Sequence, residues 1–445
     1  MVSFSGLATG LDTSTIISQL VKAESAPIDR LTAKQTVIDA KSKKLTTLRT
    51  KLDDLRNAAL ALDTRKEALP VAVSSSNTSR VTATVTGGTS PTSFEIEVQS
   101  LAKGSRTYSN SFASSGASGL FGTGSLEITT SSGTTSIAVD GSDSLTSVQR
   151  KIEALGLPLT TSILNDGAGY RLQIAGTGVG TANAVTVNEV GLTLGLNEPG
   201  NVKSVASDAR FLLDGIPMTR GSNTVENAFP GVTLELESES PTGEKTTIGV
   251  TRDSATLTAA VKKMVDAFNA VNTFVQGESS WTGNQKPLDS LSGDSTLRSV
   301  QSRLRNALIA PVSGATGAHT TVASLGISLQ RDGSLQLDSA KLAAALASDP
   351  EGVATVLGQD GTGAMALLAE QADYFTDSST GAITSRLTSM KNERRRIDDQ
   401  ITNMQARIDK YQAQLVKQYA TLEQTISGLQ NQGSALTAAL SSLSK

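Results

Sequence analysis

His319 is the only histidine, so a Ser/His/Asp relay would have to use it. It stands in Gly314-Ala315-Thr316-Gly317-Ala318-His319-Thr320, with no carboxylate near in sequence, and reads as a solvated loop residue. Cysteine is absent, which excludes thiol nucleophiles, thiolate metal sites and disulfides. Asp140 and Asp143 in Val139-Asp140-Gly141-Ser142-Asp143-Ser144 could touch a cation, but the oxygen ladder and terminal Glu of a calcium loop are missing. A turn and helix cap accounts for them. Gly176, Gly178 and Gly180 lack the spacing of a phosphate-cradling loop. Glu235, Glu237 and Glu239 alternate along a strand, so they share one solvent face and repel. Lys391 and Arg394-Arg395-Arg396 make a basic spot. With Glu393, Asp398 and Asp399 beside it, the spot reads as a solvated or interchain ion-pair face. Asn77-Thr78-Ser79 fits a glycosylation acceptor, a pattern frequent by chance. None of these makes an active site, and no cofactor or metal is implied.

Composition narrows the field further. A chain of 445 residues is long enough for two to four domains. Its net charge of −3 argues against a general nucleic-acid or anionic-membrane surface. No apolar run is long enough to span a membrane, and the first residues lack the pattern of a cleavable secretory signal. The chain is poor in aromatics and rich in Ser, Thr and Gly, like an extracellular surface. Together these traits suggest export without a cleaved signal.

With chemistry set aside, periodicity carries the information. From Ile383 onward one heptad column holds Ile383, Met390, Ile397, Met404 and Tyr411. A second holds Leu387, Ile401, Ile408, Leu415, Leu422, Leu429 and Leu436, broken by Arg394. Apolar residues three and four apart form a narrow seam on a long helix, and no Gly or Pro interrupts it between Ala382 and Ser427. Such a stripe needs a partner, since each large side chain left in water forfeits about 1.5–3 kcal/mol. The other end of the chain offers one: Leu31, Ile38, Leu45, Leu52 and Ala59 repeat every seven, with Leu48, Leu55 and Leu62 beside them. The second column decays to Lys41 and Lys34, and the first C-terminal column decays to Gln418, Thr425 and Gln432. Antiparallel pairing of the ends would join the well-made halves and leave both outer segments, to about Lys43 and from about Lys417, weakly ordered until covered.

Between the ends the period changes. Asp12 and Thr13 cap a helix, Pro27 starts a second run and Pro70 ends it. Alternating strands follow from Val71, including Phe94, Ile96 and Val98 with Glu95 and Glu97 opposite. A Gly- and Ser-rich stretch, Ser109 to Gly124, opens a second β unit with a helix near Ser144 to Ala154 and a hairpin loop at Asn165-Asp166-Gly167-Ala168-Gly169. The stretch Gly191 to Ser207 reads as a loop, and helices resume at Thr256. The expected fold is α+β multidomain. A discontinuous helical bundle or coiled-coil leg is formed by both chain ends, with two nested antiparallel β-rich head domains inserted. Expected boundaries are 1–43 (N-terminal coiled-coil segment), 44–74 and 253–416 (helical leg), 75–108 and 207–252 (inner β domain), 109–206 (outer β domain) and 417–445 (C-terminal coiled-coil segment).

Several stretches resemble one known family. Ser5-Gly6-Leu7-Ala8-Thr9-Gly10-Leu11-Asp12 with Ile16-Ile17, Glu24-Ser25-Ala26-Pro27-Ile28 and Ile96-Glu97-Val98-Gln99-Ser100-Leu101-Ala102 are similar to the flagellar filament cap (hook-associated protein 2) family. So are Tyr170-Arg171-Leu172, Asp214-Gly215 with Asn223-Thr224-Val225, Gly231-Val232-Thr233-Leu234, Asp266-Ala267-Phe268-Asn269, Gly293-Asp294-Ser295-Thr296-Leu297, and Leu325-Gly326-Ile327 with Asp332-Gly333-Ser334-Leu335. The matches run in order along nearly the whole chain.

The resemblance implies a secreted, extracellular, non-enzymatic cap at the flagellum tip, a homo-oligomeric ring of five or six subunits that promotes folding and polymerisation of flagellin. It further implies contacts with hook–filament junction proteins and a type III export chaperone on the C-terminal segment. No nucleic acid and no membrane span enter this reading. The seam residues Leu31, Ile38, Leu45, Leu48, Leu52, Leu55, Leu62, Ile383, Leu387, Met390, Ile397, Ile401, Met404, Ile408, Tyr411, Leu415, Leu422 and Leu429 are the candidate assembly surface. The competing class is an extracellular adhesin or another hook–filament structural protein binding host or surface glycans, for which Ser/Thr-rich strands on a helical stalk would also serve.

Overall fold

The computed structural model describes residues 10, 12–279, 287–359 and 361–443, so Ser5 to Thr9 and Leu11 of the opening motif lie outside the described residues. Helices α1 (Thr13–Leu60) and α2 (Arg65–Ala68) come first, followed by β1 (Val71–Ser75), β2 (Val81–Val85) and β3 (Thr92–Ser100). Next are β4 (Arg106–Tyr108), β5 (Gly122–Thr130), β6 (Gly133–Val139), α3 (Leu145–Glu153), β7 (Leu159–Asn165), β8 (Tyr170–Gly176), β9 (Thr186–Leu192) and β10 (Val202–Ser204). Strands β11 (Ala209–Leu213), β12 (Ile216–Arg220), β13 (Thr224–Phe229), β14 (Val232–Leu236) and β15 (Thr246–Arg252) complete the β-rich part. The chain closes with α4 (Ser254–Ser279), α5 (Ser295–Ile309), the β16 (Ile327–Leu329) and β17 (Leu335–Leu337) hairpin, α6 (Ser339–Ser348), α7 (Pro350–Gly358), α8 (Ala364–Thr376) and α9 (Ala382–Leu443). Two compact units result: residues 1–64, 258–342 and 355–445, and residues 65–257 with 343–354.

In the helical unit α1 packs along α8 and α9, and α5 along α8. The buried faces are heptad-spaced: Leu45, Leu48, Leu52 and Leu55 on α1, Leu297, Val300, Leu304 and Leu308 on α5, and Ile383, Met390 and Ile397 on α9. Asn269 on α4 grips the β17 strand reciprocally. Its amide donates to the Leu335 carbonyl at 2.9 Å and its oxygen accepts from the Leu335 N–H at 2.7 Å. The turn between α8 and α9 decides where α9 points. The Asp377 carboxylate accepts from the N–H groups of Thr380 (2.6 Å) and Ser379 (2.9 Å) and from both their hydroxyls. Those bonds, led by the Thr380 N–H, hold its carboxyl well below the usual carboxylate range. Gly381 follows because a Cβ there would meet the Asp377 carbonyl oxygen at 2.5 Å.

The β-rich unit contains two cores. A five-stranded sheet (β1-β15-β3-β11-β12) and a three-stranded sheet (β13-β14-β2) are antiparallel throughout. They share a core including Val81, Phe94, Ile96, Phe211, Val232 and Ile248. A four-stranded sheet (β10-β4-β8-β7), a three-stranded sheet (β6-β5-β9) and α3 enclose the second core, with Phe121, Leu126, Ile128, Val148 and Leu172. Strands β3 and β11 pair directly, Leu213 opposite Ile96, although β4 to β10 intervene in sequence. The second β assembly is therefore an insertion in the first. Asp214-Gly215 turns β11 into β12 with φ of 48° and 82°, the geometry a two-residue hairpin demands.

Four local expectations change. Pro27 does not start a new run but sits inside a continuous α1, where the ring removes one backbone donor and flanking turns carry the helix through. Pro70 ends no long helix; α1 stops at Leu60, and Leu62 of the seam lies past its end, still fully buried. The stretch from Gly191 to Ser207 contains β10, paired with β4. From Thr13 in α1, and as far as Leu443 in α9, the outer segments are continuous helix despite Pro27 in one and Gly428 and Gly433 in the other.

Leu52→Ala should destabilise the helical unit by about 2–5 kcal/mol, because Leu52 is fully buried. Leu429→Ala, at an exposed site, should change stability by less than about 0.5 kcal/mol; urea melts of both variants check the contrast. Asp12 caps α1 by accepting from the hydroxyls of Thr15 (2.5 Å) and Ser14 (2.7 Å) and from the Thr15 N–H (3.0 Å). These bonds lower its pKa from 3.8 to about 2. The cap is thus fully effective above the unfolded value and is lost as pH falls through the folded one. Carboxyl NMR should show Asp12 titrating near 2, and Asp12→Asn should abolish the associated unwinding of the first turn.

Candidate assembly surface on the terminal helices

The geometry of the α1–α9 pair follows from its polar contacts. Lys34 Nζ lies 2.8 Å from a Glu393 oxygen, and Arg394 Nε lies 2.9 Å from Asp39. The Gln35 amide donates to Asp398, and the Ser42 hydroxyl donates to the Met390 sulfur at 3.4 Å. Rising numbers on α1 meet falling numbers on α9, so the two helices run antiparallel. Extended along both helices, that register sets Ile17 beside Leu415 and Thr13 near Tyr419. Helix α9 therefore runs on for several turns past the described start of α1.

Burial follows the register. Ile38, Leu45, Leu48, Leu52, Leu55 and Leu62 are buried, and Leu31 is half-buried. On α9, Ile383, Met390, Ile397 and Ile408 are buried, while Leu387, Ile401 and Met404 are half-buried. Leu415 is 8% exposed, but in the same column Leu422 is 44%, Leu429 60% and Leu436 63% exposed. Tyr411, from the other column, is also exposed. Among the described residues, the outer segment of α1 lies along α9, and the end of α9 past Tyr419 carries no covering helix.

Lys34 and Arg394 look in sequence like flaws in the seam. They are its cross-helix ion pairs. Arg394 also reaches Asp398 one turn on, at 3.3 Å, and the Lys34 contact, led by the direct hydrogen bond, lowers the Glu393 pKa. Exposed pairs of this kind contribute only about 0–1 kcal/mol each, so their effect is on register more than on strength. Sequence reasoning missed Asp39 and Gln35; the available signal was that antiparallel pairing sets an acid or amide against each broken position.

The residues considered for chemistry are accounted for differently. His319 is half-buried, not solvated, and its Nδ1 has no hydrogen-bond partner. Asp143 is buried and accepts from Lys151 (2.6 Å), the Ser147 hydroxyl (2.7 Å) and the Asp140 N–H (2.8 Å). Burial opposes ionisation there, and those bonds outweigh it to leave the pKa lowered. Gly176 and Gly180 donate their N–H groups to the carbonyls of Ser105 and Lys103. Asn77 accepts from the Ser79 N–H and hydroxyl in a local turn. Among the described residues no cluster of three or more metal-ligating side chains occurs. A cavity between α4, α5 and the β16–β17 hairpin, lined by Phe268, Val271, Val300 and Leu304, measures about 30 Å³, room for a water rather than a substrate.

Known proteins agree on one assignment. The family model for the flagellar hook-associated protein 2 C-terminus matches residues 206–431, and that for its N-terminus matches residues 9–105. The A-type flagellar hook-associated protein 2 of Pseudomonas aeruginosa is 27% identical, over 99% of this chain and 98% of its own length. Flagellar hook-associated protein 2 of Escherichia coli K12 is 26% identical, over 98% and 97%. The crystal structure of the D1-D2-D3 domains of the flagellar cap protein FliD from Escherichia coli superposes with a TM-score of 0.67 at 25% identity, covering 78% of this chain and 99% of that one. A chain whose ends pair as long antiparallel helices, whose middle folds as nested β units, and which such relatives match from end to end belongs to the flagellar hook-associated protein 2 family, structural proteins of the bacterial flagellum.

Proposed function

We propose that the protein caps the distal, extracellular end of the flagellar filament as a ring of five or six copies and promotes folding and polymerisation of exported flagellin. The observation that carries this reading is the column Leu415, Leu422, Leu429, Leu436, covered at its first member and open at the rest. A leucine every seven residues on an exposed helix suits capture of a partner helix. The companion column there, Gln418, Thr425 and Gln432, contributes little apolar area. Such a half-seam binds and releases, as a cap must when a new subunit inserts beneath it. Together with the paired stretches of α1 and α9 it forms the assembly seam of this reading.

The remaining assignments rest on family membership. The helical unit (44–74 with 253–416) would act as a leg, the inner (75–108 with 207–252) and outer (109–206) β domains as a head, and 1–43 with 417–445 as the coiled segment. Hook–filament junction proteins would be met during assembly, and an export chaperone would hold the segment from 417 before export through the type III route. The reading requires no catalysis.

Deletion of the residues after Leu415 should leave both β cores folded, with near-native circular dichroism in the β region. Cells carrying only that truncation should shed unpolymerised flagellin and make no filaments; full-length filaments would contradict the assignment and favour an adhesin. In isolated protein, hydrogen exchange should be fast for amides beyond Tyr419 and slow between Ile383 and Leu415, since α1 lies along only the latter. Uniform protection along α9 in dilute monomer would contradict the half-open seam.

A further inference from the structure

Two charged surfaces are left unused by the seam. On α9, Arg394 and Glu393 are consumed by contacts with α1, but Lys391, Arg395 and Arg396 are exposed and in no ion pair with a described residue. Lys391 and Arg395 lie one turn apart, and all three point away from the side occupied by Met390, Arg394 and Ile397. Lys41 and Lys43 flank Ser42, which touches Met390, so they add positive charge at the same level. Asp399, exposed one turn on from Arg395, and Glu393, whose pKa the Arg396 charge helps to lower, offset part of that charge, and the remainder is open to an anionic surface.

The complementary surface lies in the β-rich unit. That unit holds 13 Lys and Arg against 20 Asp and Glu, so it carries the acidic excess of a chain whose net charge is only −3. In the β13-β14-β2 sheet Val225, Val232, Leu234 and Leu236 point into the core, which turns Glu226, Glu235 and Glu237 to the opposite face. Glu226 and Glu237 are exposed, and Glu235 accepts only from the Thr224 hydroxyl at 2.8 Å. None of the three is in an ion pair with a described residue.

We propose that Lys391, Arg395 and Arg396 of one copy dock against the Glu226, Glu235 and Glu237 face of a second copy. The contact is heterologous, one patch meeting a different patch, which is what a ring requires: a self-complementary patch closes as a dimer, whereas a heterologous one propagates until it closes. The inference rests on the ring reading above and names a surface that reading leaves open. Attraction between the patches steers encounter and fixes register, and it weakens with salt.

Mass photometry of the full-length chain across a concentration series, from about 50 to about 500 mM salt, tests it. Three variants join the wild type: Lys391→Glu/Arg395→Glu/Arg396→Glu, Glu226→Lys/Glu235→Lys/Glu237→Lys, and the combination of all six. The expected result is assembly that weakens about tenfold or more with salt, a similar loss in each triple variant, and recovery in the combination. Circular dichroism and neutral Gln replacements at the same six positions separate loss of docking from loss of folding. Rings insensitive to salt and to both reversals would overturn the docking assignment while leaving the ring intact. A wild-type chain that stays monomeric at every concentration would overturn the ring reading and this contact with it.

Discussion

The antiparallel contact between α1 and α9 is the constraint on which the other features depend. Both helices belong to one chain, so their meeting closes a loop through everything between them and makes the β-rich part an insertion. The apolar column supplies most of the driving force, since Ile38 and Leu45 on α1 and Ile383, Met390, Ile397 and Ile408 on α9 are buried and each contributes roughly 1.5–3 kcal/mol. Polar contacts then choose among registers that a leucine repeat alone would leave nearly degenerate. A slip of one heptad would keep leucine against leucine while separating Arg394 from Asp39 and Lys34 from Glu393.

The β insertion is built by a different logic. Its strands are short, antiparallel and rich in Thr and Ser on their outer faces, so each sheet buries one side and leaves the other in water. Direct pairing of β3 with β11 across the intervening strands makes the outer assembly a self-contained excursion. An excursion of that kind can vary without disturbing its host sheet, because the host's hydrogen bonds are complete once β3 and β11 meet.

Legibility in the sequence followed the range of the forces involved. The seven-residue repeats of α1 and α9 and the Asp12 cap are local signals, and each appears in the structure where it was read. Pro27 misled because a proline at a helix start and one inside a continuous helix look alike without knowledge of the turns before it. Leu62 kept its burial but lost its helix, since column membership reports apolar need and not backbone form. The unequal reach of α1 and α9 was hidden for a deeper reason. It depends on register between segments more than 350 residues apart, and no local pattern encodes that. Lys34 and Arg394 were misread for the same cause: a charge in an apolar column is a defect on one helix and a contact on two.

The unequal reach also bears on strength. Were the end of α9 to carry Ile or Leu in both columns, covering it would bury twice the apolar width and give a contact too durable for the stepwise growth proposed above. With Leu422, Leu429 and Leu436 on one side and Gln418, Thr425 and Gln432 on the other, the gross gain is roughly 1.5–3 kcal/mol per leucine. Much of that is offset by the freedom a partner loses on docking, an association cost of about 4–15 kcal/mol. A single helix-to-helix contact is therefore weak. In the proposed ring, several such contacts would add through effective concentration without any one becoming irreversible. In the proposed cap, holding position while one leg at a time lets go needs that distribution of weak contacts, and a half-polar seam would supply it.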